Sequence, residues 1–210
     1  MRAKASAKAG RSLDEGGRRR RDPFHLFRRW FRDAKSAGTP LPEAMALATS
    51  TSDGRPSVRM VLHRGFSRGA FVFYTNYTSR KAVEALANPR AAAVFHWPLL
   101  DRQIRIEGRV EKLTRAESER YFRSRPRESR ISAWASPQSA RIRDRSFLEA
   151  EFVRAQLRFG DGAIPCPPFW GGFRIVANCI EFWQGQPHRL HDRIVYRRRG
   201  PVWTSYRLGP

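Results

Sequence analysis

Lysine is scarce in this chain. Only Lys4, Lys8, Lys35, Lys81 and Lys112 occur, so arginine supplies most of the 41 cationic side chains behind a formal charge of +22. A basic surface attracts phosphate backbones without reading sequence, but here the arginines are spread along the whole chain rather than gathered into one stripe. A specific nucleic-acid partner is therefore not expected. Cysteine is scarcer still. Cys166 and Cys179 form neither a metal-type pair nor a disulfide framework, which points to a reducing, cytoplasmic setting. No apolar run approaches membrane-spanning length and no secretory segment follows the N-terminus, so no membrane association is expected. Gly-x-Gly-x-x-Gly and Walker loops are also missing. Any phosphate must then be held by arginine, lysine and hydroxyl side chains.

What is present suits one compact domain with a tail. Residues Met1 to Arg21 are rich in Ala, Gly, Ser and Arg and end in Arg18-Arg19-Arg20-Arg21, which reads as a disordered basic arm. The single domain is expected over residues 22–210. Asp22-Pro23 starts a helix whose apolar positions Phe24, Phe27, Trp30, Phe31 and Ala34 recur at helical spacing, and Gly38 with Pro40 stops it. From Ala44 the period changes to strands: Met45 to Ser50, a turn at Asp53-Gly54, Ser57 to Arg64, and Ala70 to Asn76. Ser79 caps a short helix ending near Asn88-Pro89, and strands follow at Ala91 to Trp97 and Arg102 to Leu113. Thr114 to Glu117 is a capping box, opening helical segments that continue near Ser129 to Ala135 and Asp144 to Phe159. Three last strands, Phe173 to Trp183, Leu190 to Arg198 and Val202 to Arg207, close the chain. Short antiparallel strands with a few helices between them predict a mainly β, α+β fold, a barrel with appended helices.

Two stretches carry candidate chemistry. Thr78-Ser79-Arg80-Lys81 joins a helix N-terminus to two cations; spacing alone leaves open a phosphate site or a capped surface helix with a solvated basic turn. The second is Glu181 to Arg193, read as a hairpin through Gly185-Gln186-Pro187. In a strand, Arg189, His191 and Arg193 share one face. That face is either a solvated edge or a site for a planar anion.

Seven motifs occur in order: Arg59-Met60-Val61-Leu62, Phe73-Tyr74-Thr75-Asn76, Ser79-Arg80-Lys81, Arg102-Gln103, Tyr121 to Pro126, Trp170-Gly171-Gly172, and Glu181-Phe182-Trp183-Gln184-Gly185 followed by Arg189-Leu190-His191-Asp192-Arg193. As a set they closely resemble the pyridoxamine/pyridoxine 5′-phosphate oxidases, from about Asp22 to Pro210. The resemblance implies an FMN-binding split β-barrel working as a homodimer, with two flavin sites at the subunit interface. It also implies oxidation of pyridoxamine or pyridoxine 5′-phosphate to pyridoxal 5′-phosphate, with O₂ as acceptor and H₂O₂ released. Carried onto matching positions, Arg59, Met60, Val61, Leu62, Tyr74, Thr75, Arg80, Lys81, Gln103, Trp183 and Arg193 resemble flavin contacts. Gln138 and Ser139 would be supplied across the dimer. Arg64, Tyr121, Arg125 and Ser129 resemble the substrate-phosphate pocket, and Arg189 and His191 would lie over the substrate ring as the catalytic pair. No metal is implied.

Two departures stand out. Arginine occupies position 64, where the family commonly has lysine, which keeps charge and changes geometry. The arm lacks the Arg-x-x-Tyr segment that folds over substrate in some members. The competing readings are a related flavin oxidase of phenazine synthesis, and a non-catalytic FMN- or nucleic-acid-binding basic module.

Overall fold

The computed structural model describes residues 22–210; the basic arm read at Met1 to Arg21 lies outside them. Their contacts divide into two compact units. One comprises residues 22–46 with Ala92–Gly108 and Ala177–Pro210; the other comprises Leu47–Ala91 and Arg109–Val176.

The described residues form nine strands and five α-helices: α1 Pro23–Ser36, β1 Ala44–Ser50, β2 Pro56–Leu62, β3 Phe66–Ser67, β4 Ala70–Asn76, α2 Arg80–Ala87, β5 Arg90–Trp97, β6 Arg102–Lys112, α3 Arg115–Ser124, α4 Arg127–Ala135, α5 Arg145–Phe159, β7 Trp170–Gln184, β8 Asp192–Arg199 and β9 Val202–Leu208. The strands join in the order β2-β1-β5-β6-β7-β4-β3, with β8 on β7 and β9 on β8. The mainly β, α+β architecture read from the sequence is the one observed.

Local chemistry explains the element ends. The Asp22 carboxylate accepts the Phe24 N–H ahead of Pro23, and α1 buries Leu26, Phe27, Trp30 and Ala34. Inside the first unit Phe27 meets Phe95 at 5.1 Å, and Trp30 meets Phe182 edge-on at 5.3 Å. In the second unit, both arms of the Thr114–Glu117 capping box are formed. The same Glu117 also accepts from Ser67, and that hydrogen bond and those of Thr114 hold its carboxyl down at about 2. Behind α3, Phe122, Ile131, Ile164 and Trp170 make a second apolar core.

Ser79 departs from expectation. It occupies the N-cap of α2, yet its hydroxyl donates back to the Asn76 carbonyl at 2.7 Å and caps no helix N–H. The hydroxyl is committed to the turn that presents the helix.

Candidate active site

In the second unit, β2, β4, α2, α3 and α4 surround a cavity of about 730 Å³. Of the residues picked from the sequence, Met60, Val61, Leu62, Arg64, Tyr74, Thr75, Lys81, Tyr121, Arg125, Ser129 and Gln138 line it. One cavity thus gathers Lys81 of the expected flavin-phosphate residues with all four expected substrate-phosphate residues, Arg64, Tyr121, Arg125 and Ser129.

Lys81 is the best-defined anchor. Its ammonium donates to Thr75 Oγ1 at 3.1 Å, Ser79 Oγ at 3.3 Å and Gln138 Oε1 at 3.2 Å. Among the described residues no carboxylate reaches it. Burial, aided by the charge of Arg59, pulls this ammonium down to about 8. A cation buried among neutral oxygens is a site that gains from an anion. Gln138 also accepts from Thr75 Oγ1 at 2.7 Å. This Gln138 belongs to the same chain as Lys81. The turn after α4 is long enough to return it to β4. Ser139, at φ +70°, is exposed and does not line the cavity.

Arg125 is the second anchor. Its guanidinium lies 4.8 Å from the centroid of Trp170, and its buried Nη1 has no hydrogen-bond partner among the described residues. Beside it Tyr74 and Tyr121 stack at 3.8 Å and 14°, with Trp170 parallel to Tyr74 within 9°. Burial, and then the neighbouring Tyr121, pushes the Tyr74 phenol up to about 12, so it remains a neutral donor.

Arg59 and Arg80 do not line the cavity. Both pair with Glu84, Arg80 Nε at 2.8 Å and Arg59 Nη2 at 3.4 Å. Sequence reasoning missed Ser132, Ser136 and Trp170, which do line it. A signal existed: Ser129, Ser132, Ala133 and Ser136 follow the i, i+3, i+4, i+7 spacing of one helical face, and small residues there leave room.

The remaining picks belong to the first unit. Arg193 lies in β8 opposite Trp183 of β7 and donates to Glu181 Oε1 at 2.8 Å. Arg102 beside Gln103 bonds Gln184 Oε1 at 2.7 Å and Asp33. The shared-face reading of Arg189, His191 and Arg193 is corrected. β8 begins only at Asp192, and Pro187–Arg189 form a 3₁₀ turn with His188 and Arg189 at φ +58° and +62°. Proline cannot donate to a ladder, so the chain turns instead of pairing. The hairpin itself holds, since Gln184 pairs with Asp192. Within the loop, the Gln186 N–H donates to His191 Nδ1 at 3.2 Å, and the imidazole lies 4.6 Å from Trp183. An Nδ1 that accepts a hydrogen bond leaves the neutral ring's proton on Nε2.

Residues 31–159 match the family model described as pyridoxamine 5′-phosphate oxidase, and residues 170–210 match the pyridoxine 5′-phosphate oxidase C-terminal dimerisation region. The chain belongs to the pyridoxamine 5′-phosphate oxidase family. It is an oxidase, and FMN is its cofactor. A pyridoxine/pyridoxamine 5′-phosphate oxidase of Burkholderia lata is 53% identical over 192 residues, 90% of this chain and 89% of the relative. One from Rubrobacter xylanophilus is 50% identical over 189 residues, 90% and 87% of the two chains. Among solved structures, PhzG of Burkholderia lata in complex with tetrahydrophenazine-1-carboxylic acid superposes at TM-score 0.86, with 33% identity, covering 90% of this chain and 93% of that one. A pyridoxamine 5′-phosphate oxidase-related, FMN-binding protein of Nostoc punctiforme shares the fold at TM-score 0.72 and 18% identity, with 90% and 98% covered.

The cavity fits such a cofactor on its own terms. A phosphate suits the unpaired Lys81 ammonium, and a planar ring suits walls made of parallel aromatics.

Proposed function

We propose that this chain oxidises pyridoxamine 5′-phosphate or pyridoxine 5′-phosphate to pyridoxal 5′-phosphate, with O₂ as acceptor and H₂O₂ released; the amine substrate also consumes one water and releases ammonia. The observation that carries the reading is a single cavity holding two cations, the buried Lys81 and the half-buried Arg125, each with donor capacity that no described carboxylate takes up. Two phosphorylated ligands, cofactor and substrate, need two such anchors.

Lys81, Thr75 and the Gln138 amide hold the phosphate of FMN, with Arg59 and Arg80 behind them. Arg125, Tyr121, Ser129 and Arg64 hold the phosphate of the substrate. FMN, when bound, would supply the acceptor for the hydride leaving C4′ of the substrate and the route for its electrons to O₂. The chain's own task is to hold and orient the reactants. His191 contributes an Nε2–H donor, fixed by the Gln186 N–H on its other nitrogen, and so orients substrate oxygen or nitrogen rather than removing its proton. Arg189 acts beside it. Gln103, Trp183 and Arg193 contact the flavin, with Arg193 held by Glu181. Residues 22–210 work as one oxidase domain in a cytoplasmic homodimer, which the match to a dimerisation region supports.

A second reading, oxidation of a reduced phenazine, is favoured by the likeness to PhzG. The orphaned Arg125 Nη1 supports a phosphorylated substrate over it. Purified protein assayed with O₂ against pyridoxine 5′-phosphate and against tetrahydrophenazine-1-carboxylic acid tests the choice. Turnover of the phenazine alone would reverse it.

A further inference from the structure

Glu84 is a buried carboxylate that the reading above leaves without a task. Its side chain is 4% exposed on α2, four residues beyond Arg80 and three beyond Lys81. Oε1 accepts from Arg80 Nε at 2.8 Å. Oε2 accepts the hydroxyls of Thr49 and Ser57 at 2.5 Å each and lies 3.4 Å from Arg59 Nη2. The same two hydroxyls accept from Arg59, Thr49 from Nη1 and Ser57 from Nη2. A hydroxyl has one proton to give, so donating it to Glu84 turns its lone pairs toward the guanidinium. The carboxylate therefore sets the direction of Arg59 twice over, directly and through both hydroxyls. Burial opposes its ionisation, but the bonds from Ser57, Thr49 and Arg80 outweigh burial and hold it at about 2.

The division of labour is selective. Glu84 engages two arginines and leaves Lys81, on the same helix, facing Thr75, Ser79 and Gln138. Three cations against one carboxylate leave two positive charges, which matches a phosphomonoester dianion.

We infer that Glu84 is a positioning residue for the cofactor phosphate, fixing Arg59 and Arg80 and trimming the cationic cradle to the charge of a phosphomonoester dianion. The inference rests on the FMN reading above. It carries a sign that simple electrostatics does not. Removing an anion from a cationic site should strengthen its hold on phosphate if charge alone mattered. Loss of a positioning residue should weaken it.

Glu84→Gln keeps the shape and an acceptor for the two hydroxyls while losing the charge. The apoprotein is titrated with FMN and, separately, with riboflavin, which lacks the phosphate, following quenching of flavin fluorescence. The expected result is an FMN Kd raised about ten-fold or more, the scale of one charge-assisted hydrogen bond. Riboflavin affinity stays within about two-fold, and Arg80→Ala costs less in the Glu84→Gln background than in wild type. Unchanged or tighter FMN binding overturns the inference, as does an equal loss for both flavins, which would mark a general structural role. Glu84→Asp, which keeps the charge but withdraws it by one methylene, repeats the test should the glutamine variant not fold. Weaker FMN with unchanged riboflavin supports the inference there, and unchanged FMN overturns it. A wild type that does not distinguish FMN from riboflavin removes the underlying reading, and this inference with it.

Discussion

Lys81, buried, and Arg125, half-buried with its Nη1 enclosed, share one cavity, and each makes a separate prediction. Lys81 titrates near 8 in the ligand-free protein because burial disfavours its charge. A bound phosphate favours the charged form and raises that value. FMN affinity is then fully present below about pH 8 and declines as pH rises through 8 toward the higher value of the bound state, with a proton taken up on binding. Titration calorimetry of FMN in two buffers of different ionisation enthalpy measures that uptake at pH 8.5, and Lys81→Met should abolish it. Arg125 anchors substrate in ground state and transition state alike. Arg125→Ala should raise KM for pyridoxine 5′-phosphate by ten-fold or more, roughly 1.5–3 kcal/mol, and leave kcat nearly unchanged. A fall confined to kcat would instead put Arg125 in the chemical step.

At the level of elements, the loop between β7 and β8 shows both what spacing reveals and what it hides. The hairpin was legible from alternation broken by Gly185 and Pro187, and the β7–β8 register follows it. The conformation of the loop was not, because a period of two was extended through a proline that cannot pair. Capping chemistry was legible where it is local: Asp22 and Thr114 with Glu117 behave as their neighbours dictate. The environment of Lys81 was not, since Gln138 lies 57 residues away and only the fold brings it near. Only the ordered set of motifs pointed there. The loop is held by its own first unit: the Gly185 N–H donates to the Asp101 carbonyl at 2.8 Å, and a Cβ on Gly185 would run into the Asp101 carboxylate. Gly185→Ala makes the exposed Asp101 carboxylate turn away and should cost about 0.5–1.5 kcal/mol, lowering Tm slightly. Adding Asp101→Gly removes the obstacle and suits a residue at φ +52°, so the double variant should regain part of the loss. Additive losses in thermal melts would contradict the close approach.

On the scale of the whole molecule, the match of residues 170–210 to a dimerisation region predicts about twice the chain mass, 24.3 kDa, by light scattering. A fully active monomer would contradict it. The sequence of residues 1–21 carries neither apolar periodicity nor a tyrosine to cover substrate. Deleting them should leave turnover within a few-fold and chiefly reduce salt-sensitive binding to polyanions. Stopped-flow reduction of the bound flavin shows whether the two anchors serve one reaction. Mixing the FMN-loaded enzyme with pyridoxine 5′-phosphate without O₂ should bleach the flavin and yield pyridoxal 5′-phosphate. Unphosphorylated pyridoxine, with nothing to give Arg125, should bleach it far more slowly at equal concentration. Equal rates for the two substrates, or no bleaching by the phosphate ester, would contradict the account.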